Sequence, residues 1–329
     1  MLKTGYGFEV DNFEFKGPVL LVGIGGLGRK IALEAKSCTD FDCMVISNDK
    51  RDVEDENSLY VDCRPWINPG IYRIRSSLQN YESEIMKIFS RYGTVIFISN
   101  LGGNSGTAIS PLLSNIAKFS LNLKLINFVV MPFRYEKERL FNSAVSLKRL
   151  NSASDEVFVI DNDAFLEINP DLSLEECFTI TNKTLVHIIK LMPSINLPPG
   201  KRIISTSSSE ELGVENALRD SLAMLYSSSD PDSLGKSFLY INNGIAGSIG
   251  NLNSIVDKLR KIQNIDRNAE IDLSPSRTFD RPVNLVTLVE GHSKFDSYDP
   301  LAIIPGDSCL DWEIPESHPD IVLQLSNIE

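Results

Sequence analysis

At 329 residues the chain is long for one hydrophobic core and ample for two. Its 42% hydrophobic and 23% charged content is that of a folded globular protein, not of a disordered one. A net charge of −12 excludes the basic footprint that nucleic-acid binding needs to displace counterions.

Pro18–Gly23 is a short apolar, β-branched run that stops at glycines, the pattern of a buried parallel strand. A helix is predicted over Leu27–Lys36. Asp42–Ser47 repeats the strand signal, and Tyr72–Tyr92 carries Leu78, Ile85, Ile88 and Phe89 at helical spacing. Thr94–Ser99 is a third strand ending in a glycine-rich turn, followed by a predicted helix over Pro111–Phe119 and a strand over Lys124–Met131. Strands alternating with helices predict an α/β parallel sheet with right-handed crossovers. Leu174–Met192 reads as a further helix that stops at Pro193 and Pro198-Pro199-Gly200. Beyond it, Glu210–Tyr226 and Leu252–Ile262 read as helices, and Ser237–Ile241, Ala269–Leu273 and Val283–Val289 as strands, a smaller α+β unit. From His292 onward there are eight acids against one lysine, an acidic tail that is docked irregularly or partly disordered.

The five cysteines have no metal-ligand spacing and the three histidines lie far apart, so neither a disulfide framework nor a metal site is expected. Met1–Gly7 has no apolar secretory core. The longest apolar runs, Val19–Gly28 and Leu125–Phe133, are shorter than the roughly 18 residues of a membrane helix. The expectation is a cytoplasmic protein without direct membrane insertion.

Two glycine loops carry the chemistry. Gly23-Ile-Gly25-Gly26-Leu-Gly28 lies between a strand and a helix, where backbone N–H groups and the helix N-terminus can receive phosphate. It satisfies the G-x-G-x-x-G dinucleotide pattern, and Asp49 follows the next strand where a ribose-binding acid would stand. An NAD(P)-dependent oxidoreductase therefore remains open on this loop alone. Asn100-Leu-Gly102-Gly103-Asn104-Ser105-Gly106-Thr107 is a second loop of the same kind, with Ser105 and Thr107 adding hydroxyl donors. Two phosphate-sized concavities on one sheet suit a polyphosphate held between them. The oxidoreductase reading also lacks a His/Asp pair or a Tyr-x-x-x-Lys set to carry its chemistry.

With both loops in hand, the sequence resembles the tubulin/FtsZ superfamily, and its FtsZ branch most closely. Gly102–Ala108 reads as a relaxed copy of that family's G-G-G-T-G-T/S-G signature, and Gly23–Gly28 is similar to its N-terminal glycine loop, with Lys30 where asparagine is usual. Asn68-Pro69 and Arg73 resemble the loop that senses the terminal phosphate. Pro132-Phe133-Arg-Tyr-Glu136 resembles the family's ribose-binding segment, with Arg139 one residue short of the usual ribose-side arginine. Ile160-Asp-Asn162-Asp163 and Phe178-Thr-Ile-Thr-Asn182 are similar to the two segments that meet guanine.

The resemblance implies a tubulin/FtsZ-like Rossmann-type parallel sheet domain, a central helix and a smaller α+β domain. The expected boundaries are 1–173 for the nucleotide-binding domain, 174–200 for the central helix and linker, 201–291 for the second domain and 292–329 for the tail. It further implies GTP/GDP binding with Mg2+ and self-association, as a filament or dimer, or association with a related FtsZ/tubulin-like protein. FtsZ proteins complete their active site with an acidic Asn-x-Asp-x-x-Asp loop after the central helix. The stretch matched to it, Gly200–Ser209, holds no carboxylate, and Glu210 and Glu211 are the nearest acids. The expectation is GTP binding with weak, absent or partner-completed hydrolysis, and no catalytic residue is assigned.

Overall fold

The computed structural model describes residues 15–54, 57–194, 199–209, 212–242, 273–276 and 283–299. Strand β1 (Val19–Ile24) runs straight into helix α1 (Gly25–Lys36), followed by β2 (Asp42–Ser47) and β3 (Ser58–Tyr60). Helices α2 (Ile71–Gln79) and α3 (Glu82–Phe89) precede β4 (Thr94–Asn100) and α4 (Asn104–Asn115). Then come β5 (Lys124–Met131), α5 (Lys137–Ala153), β6 (Glu156–Asp161), α6 (Asn162–Ile168) and the central helix α7 (Leu174–Leu191). The chain continues through β7 (Gly200–Thr206), α8 (Val214–Ser228), β8 (Leu234–Asn242), β9 (Leu273–Ser276) and β10 (Val283–Val289).

The ten strands among the described residues join one sheet in the order β3-β2-β1-β4-β5-β6-β7-β10-β8-β9. From β3 to β7 the pairing is parallel; β10 then runs antiparallel to both β7 and β8. The near-continuous apolar strands are explained by cover on both faces. Leu21, Ile96, Phe128 and Phe158 pack under α1 and α7, whereas Leu20, Val22, Val95 and Phe97 pack with Ile74, Phe89 and Leu113 of α2, α3 and α4. Val129, Val157, Ile203 and Leu239 meet Leu147 of α5 and Leu218 of α8. The chain order reverses between β1 and β4. That makes the carboxyl ends of these two strands a topological switch point, the place where open α/β sheets bind ligands.

Three expectations change. The helix expected over Tyr72–Tyr92 is two helices, because Tyr81 leaves helical geometry and its hydroxyl accepts from the Asp62 amide. The helix expected from Pro111 begins seven residues earlier, so Asn104–Thr107 forms its first turn and Pro111 lies inside it. An internal proline strands the carbonyl four residues back. Here that is Thr107 O, and the Ser146 hydroxyl of α5 donates to it at 3.1 Å. The stretch Gly200–Ser209, expected as a loop, is largely strand β7, paired with β6 and β10. The helix expected at Leu252–Ile262 lies outside the described residues, as do most of the strand expected at Ala269–Leu273 and the tail beyond residue 299. Lys294–Tyr298 is a docked 3-10 turn.

Strand β7 carries Arg202 fully buried against Glu156 of β6, with Nη1 donating to Oε2 at 2.6 Å and the guanidinium over the Phe158 ring. Burial pushes the Glu156 carboxyl up to about 7 against the pull of Arg202. The folded chain thus retains a proton that the unfolded chain, with a value of 4.5, releases. This group's contribution favours the fold at low pH and is lost as pH rises through about 7. Arg202→Met is expected to cost about 3–5 kcal/mol at pH 7.5, by stranding a buried carboxylate. It should cost distinctly less at pH 5, and Arg202→Met/Glu156→Gln should recover most of the loss. Urea unfolding at both pH values measures this; equal losses at the two would contradict it.

Candidate functional site

Helices α1 and α4 open side by side at the switch point. Their N-cap residues, Ile24 and Gly103, have extended backbones and give no side-chain cap, and neither first turn holds an acid. Both ends therefore present free N–H groups and the positive end of the helix dipole. Gly25 has φ +70°, and a Cβ there would lie 3.1 Å from Ser105 Cβ, so the two loops touch. Close backbone approach sets the helices down onto the sheet. A Cβ on Gly28 would stand 2.2 Å from Ile98 O, and one on Gly106 2.1 Å from Asn100 O. Gly102 and Gly103 donate to Asn100 Oδ1 and Asn100 O at 2.8 and 3.1 Å, folding the second loop back on the end of β4.

The loop after β2 is a third wall. Asn48 Oδ1 accepts from the Ser105 hydroxyl at 2.5 Å, and a Cβ on Gly26 would be 3.0 Å from Asp52 Oδ1. Asp49, the expected ribose acid, caps the 3-10 turn Lys50–Asp52 and pairs with Arg51 at 2.6 Å, which holds its carboxyl below the usual range. Asn104 Nδ2 reaches Pro69 O at 3.4 Å, while Asn68 is exposed. The Thr107 hydroxyl contacts Leu101 O at 2.6 Å and Gly103 O at 2.8 Å, an internal role in place of the expected free donor.

The far side of the site begins where Gly102 abuts Pro132, its Cβ position 3.0 Å from Pro132 Cβ. Glu136 Oε2 accepts from the Phe133 amide at 3.2 Å, and its Oε1 pairs with exposed Arg139 at 2.5 Å. Arg134 bridges Asp163 and Glu167. Buried Asn162 opens α6 and accepts from the Thr181 hydroxyl at 2.7 Å, so it meets α7 beside Asn182. Asn182 is itself buried, and its Oδ1 has no hydrogen-bond partner among the described residues. An orphaned buried acceptor costs about 1–3 kcal/mol and so marks a place for a donor. Phe178, one turn earlier on α7, is half-buried and packs edge-on against Phe133 at 5.9 Å.

The structure thus gathers Gly25, Gly26, Gly28, Gly102, Gly103, Asn104, Ser105, Gly106 and Thr107 into one cradle. It sets Glu136 with Arg139, and Asn162 beside Asn182, beyond it. Asn48, Asp52 and Phe178 were missed as site residues. The i, i+4 spacing of Phe178 and Asn182 was legible; the reach of Asn48 and Asp52 was not. The acid-poor segment also moves: the connection after α7 is residues 192–199, and Gly200–Thr206 is strand. No carboxylate occurs from Met192 to Ser209 in either part, and Glu210 and Glu211 lie outside the described residues.

The tubulin/FtsZ family model for the GTPase domain matches residues 69–170. Cell division protein FtsZ 1 of Pyrococcus abyssi is 32% identical over 120 residues, covering 36% of this chain and 32% of the relative. The FtsZ of Methanothermobacter thermautotrophicus is 33% identical over 120 residues, 36% of this chain and 31% of its own length. The matched sequence thus spans about a third of the length of these curated relatives. The fold agrees over far more. An empty FtsZ dimer of M. jannaschii superposes with a TM-score of 0.66 at 18% identity, over 84% of this chain and 88% of that one. A CetZ2 protofilament of Haloferax volcanii, described as GTPγS-bound, gives 0.65 at 15% identity over 87% and 98%. Over residues 69–170 the chain is thus similar in sequence to the tubulin/FtsZ GTPase domain, and over most of its length it shares the fold of the FtsZ and CetZ proteins.

Proposed function

We propose that this chain is a GTP- and GDP-binding, FtsZ-like cytoskeletal switch of the cytoplasm that hydrolyses GTP weakly or only with a partner. The observation that carries this reading is the contact of two uncapped, acid-free helix N-termini at Gly25 and Ser105. Two adjoining N-termini suit a polyphosphate, whereas the pyrophosphate of NAD needs one. The orphaned Asn182 Oδ1 suits the N–H donors on guanine's edge, and Phe178 offers a ring beside it. Glu136 and Arg139, paired with each other in the segment after β5, would receive the ribose. Mg2+ takes hard oxygen ligands, and Asp52, held by the Ser47 hydroxyl at 2.7 Å, offers one at the cradle's edge. The ion would neutralise phosphate charge.

Weak hydrolysis follows from the absence of any carboxylate between Met192 and Ser209 to orient an attacking water. Residues 1–173 would hold the nucleotide, 174–200 link it to a second unit at 201–291, and 292–329 form the acidic tail. Trp66 and Ile67, 55% and 95% exposed, flank the cradle near Pro69, apolar surface that a further subunit would cover.

A fluorescent GTP analogue should bind and be displaced by GTP and GDP but not by NAD; displacement by NAD and not GDP sinks the proposal. Asn182→Ala should weaken GTP binding by about 10- to 100-fold, as expected for about 1–3 kcal/mol. Its thermal midpoint should hold or rise, since the free chain loses an unsatisfied group. Phosphate release should stay below about 0.01 s⁻¹, against roughly 1–10³ s⁻¹ for ordinary enzymes. Ordinary turnover abolished by Glu210→Ala would refute the weak-hydrolysis reading. Pelleting with and without GTP tests assembly. Sedimentation only with GTP supports a nucleotide-dependent polymer, and none at all supports a non-polymerising partner module.

A further inference from the structure

The docked turn after β10 reaches back to the base side of the candidate site. Its Lys294 is largely buried and pairs with Asp161, the fully buried last residue of β6. Asp161 caps α6. One of its oxygens accepts from the Asp163 amide at 3.1 Å, and the other, which meets Lys294, also accepts from the Ser228 hydroxyl of α8 at 3.2 Å. No other cation pairs with Asp161 among the described residues. Burial pushes the Asp161 carboxyl up and Lys294 pulls it back, so the lysine is what makes a charge tolerable there. The turn is itself fixed at several points. Ser293 accepts from Lys201 Nζ of β7 at 2.6 Å, and the Ser229 hydroxyl donates to His292 O at 3.1 Å. Phe295 is buried in the core shared by α5 and α8, and the Tyr298 ring meets it edge-on at 5.9 Å. From Asp161 the first turn of α6 branches to both expected recognition segments. Asn162 accepts from Thr181, the neighbour of Asn182, and Asp163 accepts at 3.0 Å from the amide of Arg134, in the segment that runs to Glu136.

We infer that the turn Lys294–Tyr298 is a strap that sets the base-binding edge of the site, with Lys294 as a positioning residue that acts through Asp161. Without the lysine, the buried carboxylate turns toward water or takes up a proton. Either change weakens its hold on the Asp163 amide and shifts the first turn of α6, so Asn162 no longer sits at a fixed spacing from Asn182. The phosphate cradle is spared, because it lies at the ends of β1 and β4, with β5 between them and β6. Linkage makes the effect reciprocal: a base that holds this edge also holds the strap. The strap rests on the guanine-nucleotide reading and names what positions that site.

Competition against a fluorescent GTP analogue measures the GTP and ATP affinities of the full chain. Wild type should prefer GTP by at least about tenfold. Lys294→Met should bring that preference to within about threefold, while its ATP affinity stays within about threefold of wild type. Lys294→Arg, which keeps the charge, should retain the preference. Hydrogen exchange on the wild type gives a second reading that needs no variant to fold. GTP should slow amide exchange over residues 293–298 by at least about threefold, and ATP at equal occupancy should not. A preference left intact in Lys294→Met, an equal loss of GTP and ATP affinity, or strap exchange that GTP does not move overturns the strap alone. Wild type that binds neither nucleotide, or binds ATP as tightly as GTP, overturns the guanine-nucleotide reading and the strap with it.

Discussion

Everything at the candidate site depends on two helices starting with almost no space between themselves and the sheet. Gly28 sets α1 against the carbonyl of Ile98, and Gly106 sets α4 against that of Asn100. Any side chain at either position would collide with backbone, which has nowhere to move. Because β1 and β4 are neighbours in parallel register, with Ile24 level with Ser99, both helix N-termini emerge at one height and meet. The sheet's strand order thus converts two local sequence features into a single electropositive cradle.

The chain handles buried charge on either side of this cradle by pairing it. Asp161, at the end of β6, is fully buried, and burial pushes its carboxyl up against the pull of Lys294 from the docked turn after β10. Ser228 and the Asp163 amide also bind it, at 3.2 and 3.1 Å. The segment that holds Asn162 and Asp163 is therefore anchored to an element more than a hundred residues later. Glu156 and Arg202 do the same at the opposite end of β6 and β7. Such pairs add little net stability, but removing one partner leaves an expensive charge behind, so they fix which strands and turns must sit together.

Much of the cradle was legible in the sequence because its chemistry is local. Glycines between a β-branched run and a helical stretch need no partner to announce a strand exit and a phosphate-sized turn. Asn162 and Asn182 were also marked, yet as solitary amides they carried equally well the reading of cap or turn. Only the packing of α6 on α7, which ties Asn162 to Thr181 and leaves the Asn182 oxygen orphaned, separates their roles. The polar run Lys201–Ser209 misled for a physical reason. Arg202 looks like a solvated loop residue until its buried partner Glu156, distant in sequence, is in place.

The sequence by itself determined the α/β class, the two glycine turns, the central helix and the lack of an acid after it, because each depends on residue types within a few positions. The tertiary structure alone decided that Pro111 sits inside a helix, its stranded carbonyl met by Ser146 from α5. It alone made Gly200–Thr206 a strand and joined ten strands into one sheet. It alone brought Asn48 and Asp52 to the glycine loops. These outcomes rest on contacts between residues far apart in the chain, where burial and hydrogen-bond satisfaction, not local pattern, set the energy.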